Sequence, residues 1–358
     1  MAKIRVLVVE DSVTVRKRLV EVLANAPDVE VVGEAEDGKQ AIDLCRTLRP
    51  DVVTLDMMLP VMSGLAATEY IMAHFPTPIL VVSSSTNRGE LFKTYEALAA
   101  GAVDVLEKPS GAEADGSWEA RFISAVKLVA RIRVITHPRA RLASLGRESR
   151  PAAAHATSSA PTGARGVVAI GASTGGPAAI VEVLRTLPTP FPLPVLLVLH
   201  IGDPFGRAFG EWLDGQTAMR VVQARDGDSL ASLVGRVAMA PPDRHLVVAK
   251  GRLRLTSDPE RHSCRPSVDA LFESLAREMG PETIACLLTG MGRDGASGLL
   301  AVRRAGGLTF AQDEATCVVY GMPREAVLLD AVDRVLPIYA IGPALGAAAC
   351  SPAGGDGR

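Results

Sequence analysis

Short runs of β-branched and aliphatic residues alternate with amphipathic segments along this chain, and this alternation constrains the fold more than any other feature. Between residues 4 and 133, five apolar runs are each followed by a segment with apolar residues at i, i+3 and i+4. Such repetition is typical of a mostly parallel sheet covered by helices. The predicted strands are 4–9, 29–33, 52–55, 79–82 and 103–106. The predicted helices are 12–25, 38–47, 64–74, 89–100 and 118–133.

The same rhythm returns after a break. Residues 137–165 are rich in Ala, Ser, Pro and Arg, with Glu148 as the single acid, so they cannot bury a core. Predicted strands then follow at 167–171, 195–200, 284–289 and 308–311, interrupted by a β-like stretch at 236–256. We therefore predict a flavodoxin-like five-stranded domain and a doubly wound, mostly parallel α/β domain with a β-hairpin insertion. The predicted boundaries are 1–135 for the first domain, 136–165 for a flexible linker, 166–346 for the second domain and 347–358 for a disordered tail.

Composition excludes several classes of partner. Lys and Arg total 38 against 40 Asp and Glu, and the pI is near 6.3, so no strong positive field favours nucleic acid. No apolar run is long enough to insert into a bilayer. The five cysteines are scattered and form no C-x-x-C, which argues against a disulfide scaffold or a zinc knuckle. A monomer in a reducing cytoplasm is expected.

Carboxylates collect at one edge of the first predicted sheet. Glu10 and Asp11 follow the first strand, and Asp56 follows the third. Because the carboxyl ends of parallel strands meet at one edge, the three groups are expected to crowd together there. Mg²⁺ is the cation that best offsets such a cluster of hard oxygen ligands. Lys108, after the fifth strand, can pair with Asp56 or with a phosphoryl group, whose oxygens the Ser83 hydroxyl can bind.

Residues 1–130 resemble the response-regulator receiver family. The matching residues are Asp56-Met57-Met58-Leu59-Pro60 with Gly64, and Lys108-Pro109. The resemblance implies that Asp56 is phosphorylated, that Ser83 is the switch hydroxyl and that Lys108 senses the phosphoryl group. The Mg²⁺ ligands that it implies are Glu10, Asp11, Asp56 and the carbonyl of Met58.

A glycine-rich turn places a serine after the first strand of the second domain. Residues 171–176 (GASTGG) contain G-x-S-x-G and precede a helix opened by Pro177, although the same turn alone equally suits phosphate binding. His200 ends the next predicted strand, and Asp294 follows the strand at 284–289. A serine hydroxyl needs a base, and the base needs an orienting carboxylate. Ser173, His200 and Asp294 could fill these roles, in an order that differs from that of α/β-hydrolases.

The residues alone leave three alternatives open. His245 or His262 could compete with His200 as the base. Residues 290–295 (GMGRDG) match the dinucleotide fingerprint, with Asp313 about twenty residues further on, which would indicate an oxidoreductase. Against this, Asp294 would stand where a pyrophosphate must approach, and the turn lies late in the domain. A regulated adaptor without turnover is the third alternative.

Nearly the whole chain resembles the chemotaxis-type protein-glutamate methylesterase family, often abbreviated CheB. The matching stretches are 170–177 (IGASTGGP), 240–242 (APP), 265–269 (RPSVD), 288–295 (LTGMGRDG) and 312–323 (QDEATCVVYGMP). The resemblance implies hydrolysis of γ-glutamyl methyl esters on chemoreceptors with release of methanol, and deamidation of receptor glutamines, without a cofactor for the hydrolase. Ser173 would be the nucleophile, His200 the base and Asp294 the orienting acid. Thr174, Met291 and Gly292 would form the oxyanion hole and substrate lip.

Partners and regulation are also implied by this resemblance. Methylated chemoreceptors would be the substrate proteins, and a histidine kinase of the chemotaxis type would be the phosphodonor. Phosphorylation of Asp56 would activate the hydrolase.

Overall fold

The chain folds around two parallel sheets, one in each of two compact units, Met1–Pro151 and Ala152–Arg358. The computed structural model describes residues 3–84, 88–109, 116–132, 134, 166–202 and 205–350. The linker predicted at 136–165 lies outside these residues, and its bounds stay a prediction. Among the helices described, none has both the length and the apolar character required to cross a lipid bilayer.

The first unit is a five-stranded sheet with a helix after each strand, which confirms the predicted fold class. Its strands are β1 (Ile4–Val9), β2 (Val29–Ala35), β3 (Val52–Leu55), β4 (Ile79–Ser83) and β5 (Asp104–Glu107). Its helices are α1 (Val13–Ala24), α2 (Gly38–Leu48), α3 (Gly64–His74), α4 (Arg88–Ala99) and α5 (Ser117–Val129). The strand order is β2-β1-β3-β4-β5, and every neighbouring pair is parallel. The residues that follow β1, β3, β4 and β5 therefore share one edge.

The second unit contains a larger parallel sheet and a separate hairpin. Its strands are β6 (Val167–Ala172), β7 (Val195–Leu199), β8 (Arg220–Gln223), β9 (Arg236–Met239), β10 (His245–Ala249), β11 (Arg252–Thr256), β12 (Thr283–Leu287), β13 (Leu308–Gln312) and β14 (Arg334–Leu336). Its α-helices are α6 (Gly176–Thr186), α7 (Phe205–Asp214), α8 (Val268–Glu278), α9 (Ala296–Arg304), α10 (Met322–Leu328) and α11 (Ile338–Ala349). Short 3₁₀ turns lie at Leu230–Leu233 and Gly280–Glu282.

Strand order places a crevice beside β6. The sheet runs β14-β13-β12-β6-β7-β9-β8, so the chain winds outward from β6 in one direction and later returns on its other side through β12. Open α/β sheets bind ligands outside the carboxyl ends of strands at such a reversal. The registers Ala172↔Leu199 and Gly171↔Leu287 bring the ends of β6, β7 and β12 together. β7 is buried along its whole length, as expected for a central parallel strand.

Three features differ from the sequence predictions. The short edge strands β8 and β14 were not predicted, because their partly exposed residues lack the apolar run that marks a buried strand. Of the β-like stretch, only β10 and β11 form the antiparallel hairpin, while β9 joins the main sheet between β7 and β8. The prediction of disorder from residue 347 was wrong for 347–349, because α11 continues to Ala349 and buries Ala348 and Ala349. Residues 351–358 lie outside the described part of the chain.

Candidate active site

The three acidic residues predicted to form a pocket in the first unit meet at the carboxyl edge of its sheet. Glu10 and Asp56 are almost wholly buried, and their carboxylates and that of the exposed Asp11 lie within 4.8 Å of one another. Lys108 Nζ lies 2.8 Å from Glu10 Oε2 and 2.9 Å from Asp56 Oδ2. Ser83 is buried at the end of β4, where its hydroxyl donates to the carbonyl of the next residue at 3.4 Å.

The electrostatics of this pocket suit a divalent cation. Burial raises the pKa of Glu10 and outweighs the hydrogen bond from Lys108, while the Asp56 charge raises it further, to about 7. Burial lowers the pKa of Lys108, but the two carboxylates more than compensate and its pKa is raised. A crowded cluster of carboxylates, of which Glu10 has a raised pKa, fits Mg²⁺, which would neutralise its charge. Met58, whose side chain is half-exposed, follows Asp56 by two residues, and its carbonyl remains a proposed ligand.

Ser173 lies on a tight turn between β6 and α6. Its amide donates to the Thr289 carbonyl at 3.0 Å, and its own carbonyl accepts from the Gly176 amide at 2.7 Å. Gly175 has φ +76°, and a Cβ there would lie 2.5 Å from the Val318 side chain, so this turn requires glycine. The turn leaves Ser173 half-buried at the carboxyl edge of the sheet, where its hydroxyl can meet a substrate.

His200 and Asp294 are in direct contact beside this turn. The His200 amide donates to the Ala172 carbonyl at 3.0 Å, which extends the β6–β7 pairing and places His200 next to Ser173. His200 Nε2 lies 2.8 Å from Asp294 Oδ2. The Asp294 carboxylate comes from the loop between β12 and α9 and is 1% exposed. The ends of β6 and β7 and the loop after β12 thus contribute the three residue types of a serine-hydrolase triad.

Asp294 also holds the start of α8. Its Oδ1 accepts from the Ser267 hydroxyl at 2.7 Å and from the Asp269 amide at 3.1 Å, and its Oδ2 accepts from the Val268 amide at 2.7 Å. A carboxylate is favoured at a helix N-terminus because the first amides have no intrahelical acceptor. Burial raises the pKa of Asp294, but the His200, Ser267 and Val268 bonds outweigh it and the pKa is lowered. Asp294 therefore stays ionised.

The contact with Asp294 determines which imidazole nitrogen can act as a base. An ionised carboxylate accepts a hydrogen bond, so in the neutral ring Nε2 carries the proton and Nδ1 keeps its lone pair. Nδ1 lies 3.6 Å from Cys264 Sγ. Among the described residues, the Ser173 hydroxyl makes no hydrogen bond to the His200 ring. Hydrogen bonds between a nucleophile and its base are often long without substrate and shorten when substrate binds. The ring thus presents Nδ1 as its proton acceptor.

The predicted oxyanion and lip residues flank the serine. Thr174 is buried, and its carbonyl accepts from Thr289 Oγ1 at 3.0 Å. A Cβ on Gly290 would lie 2.7 Å from Ser173 Cβ, so the loop leading to Met291 and Gly292 packs directly on the serine. Met291 is 54% exposed. These residues border the space above Ser173, and their role remains a proposal.

The competing histidines are engaged elsewhere. His245 is 1% exposed, its Nδ1 accepts from the Ser267 amide at 3.1 Å and its Nε2 donates to the Pro259 carbonyl at 3.2 Å. His262 Nε2 lies 3.1 Å from Asp269 Oδ2, and its Nδ1 accepts from Arg293 Nε at 3.3 Å. Both ring nitrogens of each of these histidines are therefore engaged in contacts away from Ser173.

The glycine turn at 290–295 does connect a strand to a helix, as a dinucleotide site requires. However, Asp294 within the turn points inward to His200 and α8, with its carboxylate fully hydrogen-bonded. Asp313, the candidate ribose ligand, instead accepts from the Thr316 amide at 3.0 Å. Asp313, which the nucleotide hypothesis invoked, and Asp294, which counted against it, therefore both have structural partners.

Two residues of the site were not singled out in the sequence. Ser267 is wholly buried and bonds both Asp294 and the Ala270 amide. A serine before a helical segment with an acid in its first turn signals an N-cap, but this signal does not reveal the second bond. Cys264, which contacts His200, carries no pattern that marks it.

Comparison with known proteins gives matches over both units. The family model described as CheB methylesterase matches residues 168–345 of this chain. The family model described as response regulator receiver domain matches residues 6–114. A protein-glutamate methylesterase/protein-glutamine glutaminase 2 of Anaeromyxobacter dehalogenans is 45% identical over 342 residues, which is 96% of each chain. A protein-glutamate methylesterase/protein-glutamine glutaminase of Nitrosospira multiformis is 43% identical over 346 residues, again 96% of each.

Solved structures resemble each unit separately. The Thermotoga maritima CheB methylesterase catalytic domain matches with 35% identity and a TM-score of 0.49, covering 52% of this chain and 99% of that one. The response regulator domain of Thermotoga maritima CheB matches with 36% identity and a TM-score of 0.33, covering 37% of this chain and 98% of that one.

Proposed function

This chain belongs to the CheB methylesterase family, and on that premise we propose that it is a phosphorylation-controlled protein-glutamate methylesterase. Its substrate is the γ-methyl ester of a glutamate side chain on a chemoreceptor, and its products are the free carboxylate and methanol. The observation that carries the proposal is the 2.8 Å contact between His200 Nε2 and Asp294 Oδ2 at a strand end adjoining Ser173.

The chemistry is acyl transfer in two steps. The Ser173 oxygen attacks the ester carbonyl carbon while His200 Nδ1 takes the hydroxyl proton, and Asp294 stabilises the imidazolium that forms. His200 then returns this proton to the methoxy oxygen, the C–O bond breaks, and methanol leaves. A water molecule attacks the acyl-serine with His200 again as base, which frees the glutamate and restores Ser173.

Backbone amides stabilise the negative charge on the carbonyl oxygen. The amides of Ser173 and Gly290 are already bonded to the carbonyls of Thr289 and Val319. Within the described residues, the amides of Thr174 and Met291 have no such acceptor, and we assign the oxyanion hole to them. Met291 and Gly292 at the surface would form the substrate lip.

Glutamine deamidation uses the same geometry. The same acyl-serine forms when ammonia, in place of methanol, leaves from a receptor glutamine. We propose this as a second activity of the site, because it requires only that His200 protonate nitrogen in place of oxygen.

A methanol-release assay tests the proposed function. Membranes carrying methylated chemoreceptors are incubated with the full chain, with and without a small-molecule phosphodonor. We expect methanol release that increases with the phosphodonor. No methanol under either condition would favour the adaptor, and NAD(H) binding without methanol release would favour the oxidoreductase.

Phosphorylation of Asp56 would activate the enzyme. The Asp56 carboxylate lies 2.9 Å from Lys108 Nζ. Lys108 and the Ser83 hydroxyl at the end of β4 would bind the phosphoryl oxygens, and a bound Mg²⁺ would offset their charge. A kinase of the chemotaxis type would supply the phosphoryl group. The added charge biases the receiver toward its active conformation.

Asp56→Asn should abolish the stimulation by phosphodonor while basal hydrolysis continues, because the amide cannot be phosphorylated. The measurement is the ratio of methanol release with and without phosphodonor, which should fall to about one. Asp43→Asn, a change at an exposed residue of α2, is the matched control and should keep the full ratio. Stimulation that persists in Asp56→Asn would contradict the assignment.

Hydrolysis should increase with pH into the alkaline range. Burial lowers the pKa of His200, but the Asp294 and Cys264 contacts raise it more, to about 9. Only the neutral ring can accept the Ser173 proton, so the rate should rise as the pH approaches 9 and then level off. Methanol release is measured from pH 6 to 10, with the spontaneous ester hydrolysis in Ser173→Ala subtracted. Cys264→Ala should move the midpoint to lower pH, and a plateau already reached below pH 7 in the unmodified chain would contradict this.

A further inference from the structure

Cys264 lies at the catalytic base but takes no part in the bond-making and bond-breaking steps of the proposed reaction. Its Sγ is 3.6 Å from His200 Nδ1 and 3.4 Å from the carbonyl oxygen of His262. The thiol is half-buried, so an ion from solvent can reach it. Nδ1 is the nitrogen that must receive the Ser173 proton, and any ligand held between Sγ and Nδ1 would block that transfer.

A strained turn presents this thiol to the imidazole. Arg261 and Cys264 exchange both backbone hydrogen bonds, at 3.2 and 2.9 Å. The two residues between them, His262 and Ser263, have φ values of +51° and +60°, in the left-handed region that non-glycine residues rarely adopt. Such conformations persist where the surroundings hold them in place.

Side chains on both sides anchor the turn. Arg261 donates to both carboxylate oxygens of Glu273, at 2.8 and 2.6 Å. Arg265 donates twice to Asp243 Oδ1, at 2.8 and 2.6 Å. The backbone at Cys264 is therefore held in place from both sides.

The spacing of the two atoms suits tetrahedral zinc. Zn–S bonds are about 2.3 Å and Zn–N bonds about 2.0 Å, so two such ligands at a tetrahedral angle lie about 3.5 Å apart. The observed separation of Sγ and Nδ1 is 3.6 Å. Both atoms could thus bind one ion with little movement.

Asp294 supplies the outer support that zinc-binding histidines require. A ligating histidine usually donates its other ring N–H to a carboxylate, which sets the tautomer and the ring orientation. His200 Nε2 makes this bond to Asp294 at 2.8 Å. Both carboxylate oxygens of Asp294 already accept from α8, so Asp294 acts as this outer partner and the metal ligands are His200 and Cys264.

We propose that Cys264 Sγ and His200 Nδ1 form an inhibitory binding site for Zn²⁺. The Cys264 thiol loses its proton to solvent as the Zn–S bond forms, and Nδ1 donates its lone pair to the ion. Water molecules or the Ser173 hydroxyl complete the tetrahedron. The bound ion occupies the lone pair that the base needs, so ester hydrolysis stops and resumes when a chelator removes the ion. This consequence rests on the proposed function, whereas binding does not.

Zinc titration of methanol release tests the inhibition. The full chain is assayed in excess Mg²⁺, which occupies the all-oxygen acidic pocket at Asp56. In Cys264→Ala, the Zn²⁺ concentration for half-inhibition should rise by about tenfold or more, because one of two protein ligands is lost. Each variant is compared with its own zinc-free rate. Cys350→Ala, a change at an exposed cysteine, is the control, and Zn²⁺ should inhibit it at the same concentration as the unmodified chain. Equal potency in Cys264→Ala would overturn the proposal.

A spectroscopic measurement separates this proposal from the hydrolase assignment. Co²⁺ replaces Zn²⁺ in Ser173→Ala, and the thiolate-to-cobalt charge-transfer band is recorded in the near ultraviolet. The band should appear in the single variant Ser173→Ala and in the double variant that also carries Cys350→Ala. It should be absent from the double variant that carries Cys264→Ala in addition to Ser173→Ala. Its persistence without Cys264, or its absence with Cys264 present, would overturn the site. Because hydrolysis is not read, this result stands even if the chain releases no methanol.

Discussion

Ser173→Ala is expected to lower methanol release by at least about 10⁴-fold. The activity that remains comes from substrate binding and from the oxyanion amides. The alanine variant has no oxygen to form the acyl-enzyme. Its fold should be intact, because the hydrogen bonds of Ser173 run through its backbone to Thr289 and Gly176. We therefore expect an unchanged melting temperature and an unchanged affinity for methylated receptors.

The control for this experiment is a serine outside the site. Ser297 lies exposed on α9, and Ser297→Ala should release methanol at the unmodified rate. A serine-directed covalent probe should label the unmodified chain and Ser297→Ala and leave Ser173→Ala unlabelled. Methanol release from Ser173→Ala within tenfold of the unmodified rate would reject Ser173 as the nucleophile.

Asp294→Asn is expected to lower the rate of hydrolysis by about 10³- to 10⁴-fold, through the tautomer of His200. The asparagine oxygen can still accept from Ser267 and Asp269, which leaves its NH₂ group facing His200 Nε2. Nε2 must then accept, so the ring proton moves to Nδ1, where it blocks the uptake of the Ser173 proton. The NH₂ group also faces the Val268 amide, donor against donor. The free energy of unfolding should therefore fall by about 1 to 3 kcal/mol.

Two measurements separate the catalytic and structural effects of this change. The kcat for methanol release reports the base, and denaturant unfolding of the full chain reports the helix start. Ser267→Ala, which removes one donor to the carboxylate and leaves its charge, should lower stability by about 1 kcal/mol while kcat stays within about tenfold. A kcat for Asp294→Asn within tenfold of the unmodified chain would contradict the role of Asp294.

The sequence predicts well what depends on strand ends. Ser173 and His200 directly follow apolar strands, and the rule that parallel strands share a carboxyl edge brings them together before any coordinates are known. The nine predicted strands all lie within two residues of their observed bounds. Asp294 is harder, because it stands seven residues beyond the end of β12 and reaches the site through a loop that turns inward.

What the sequence does not predict depends on contacts between distant segments. The orientation of the His200 ring follows from the way Asp294 is held by α8, and neither interaction has a local signature. Cys264 approaches His200 across 64 residues, through a left-handed turn that contains no glycine to announce it. The edge strands β8 and β14 are short and half-exposed, and their own residues give no strand pattern. They form because a neighbouring strand offers free backbone hydrogen-bonding groups.

The dual bonding of Asp294 has an evolutionary consequence. In a descendant that no longer cleaved esters, the residue at 173 could drift, whereas an aspartate at 294 would still be retained to anchor α8. Finding that aspartate in a remote sequence would therefore say little about whether the sequence encodes an esterase. The serine is the more informative marker of a working enzyme.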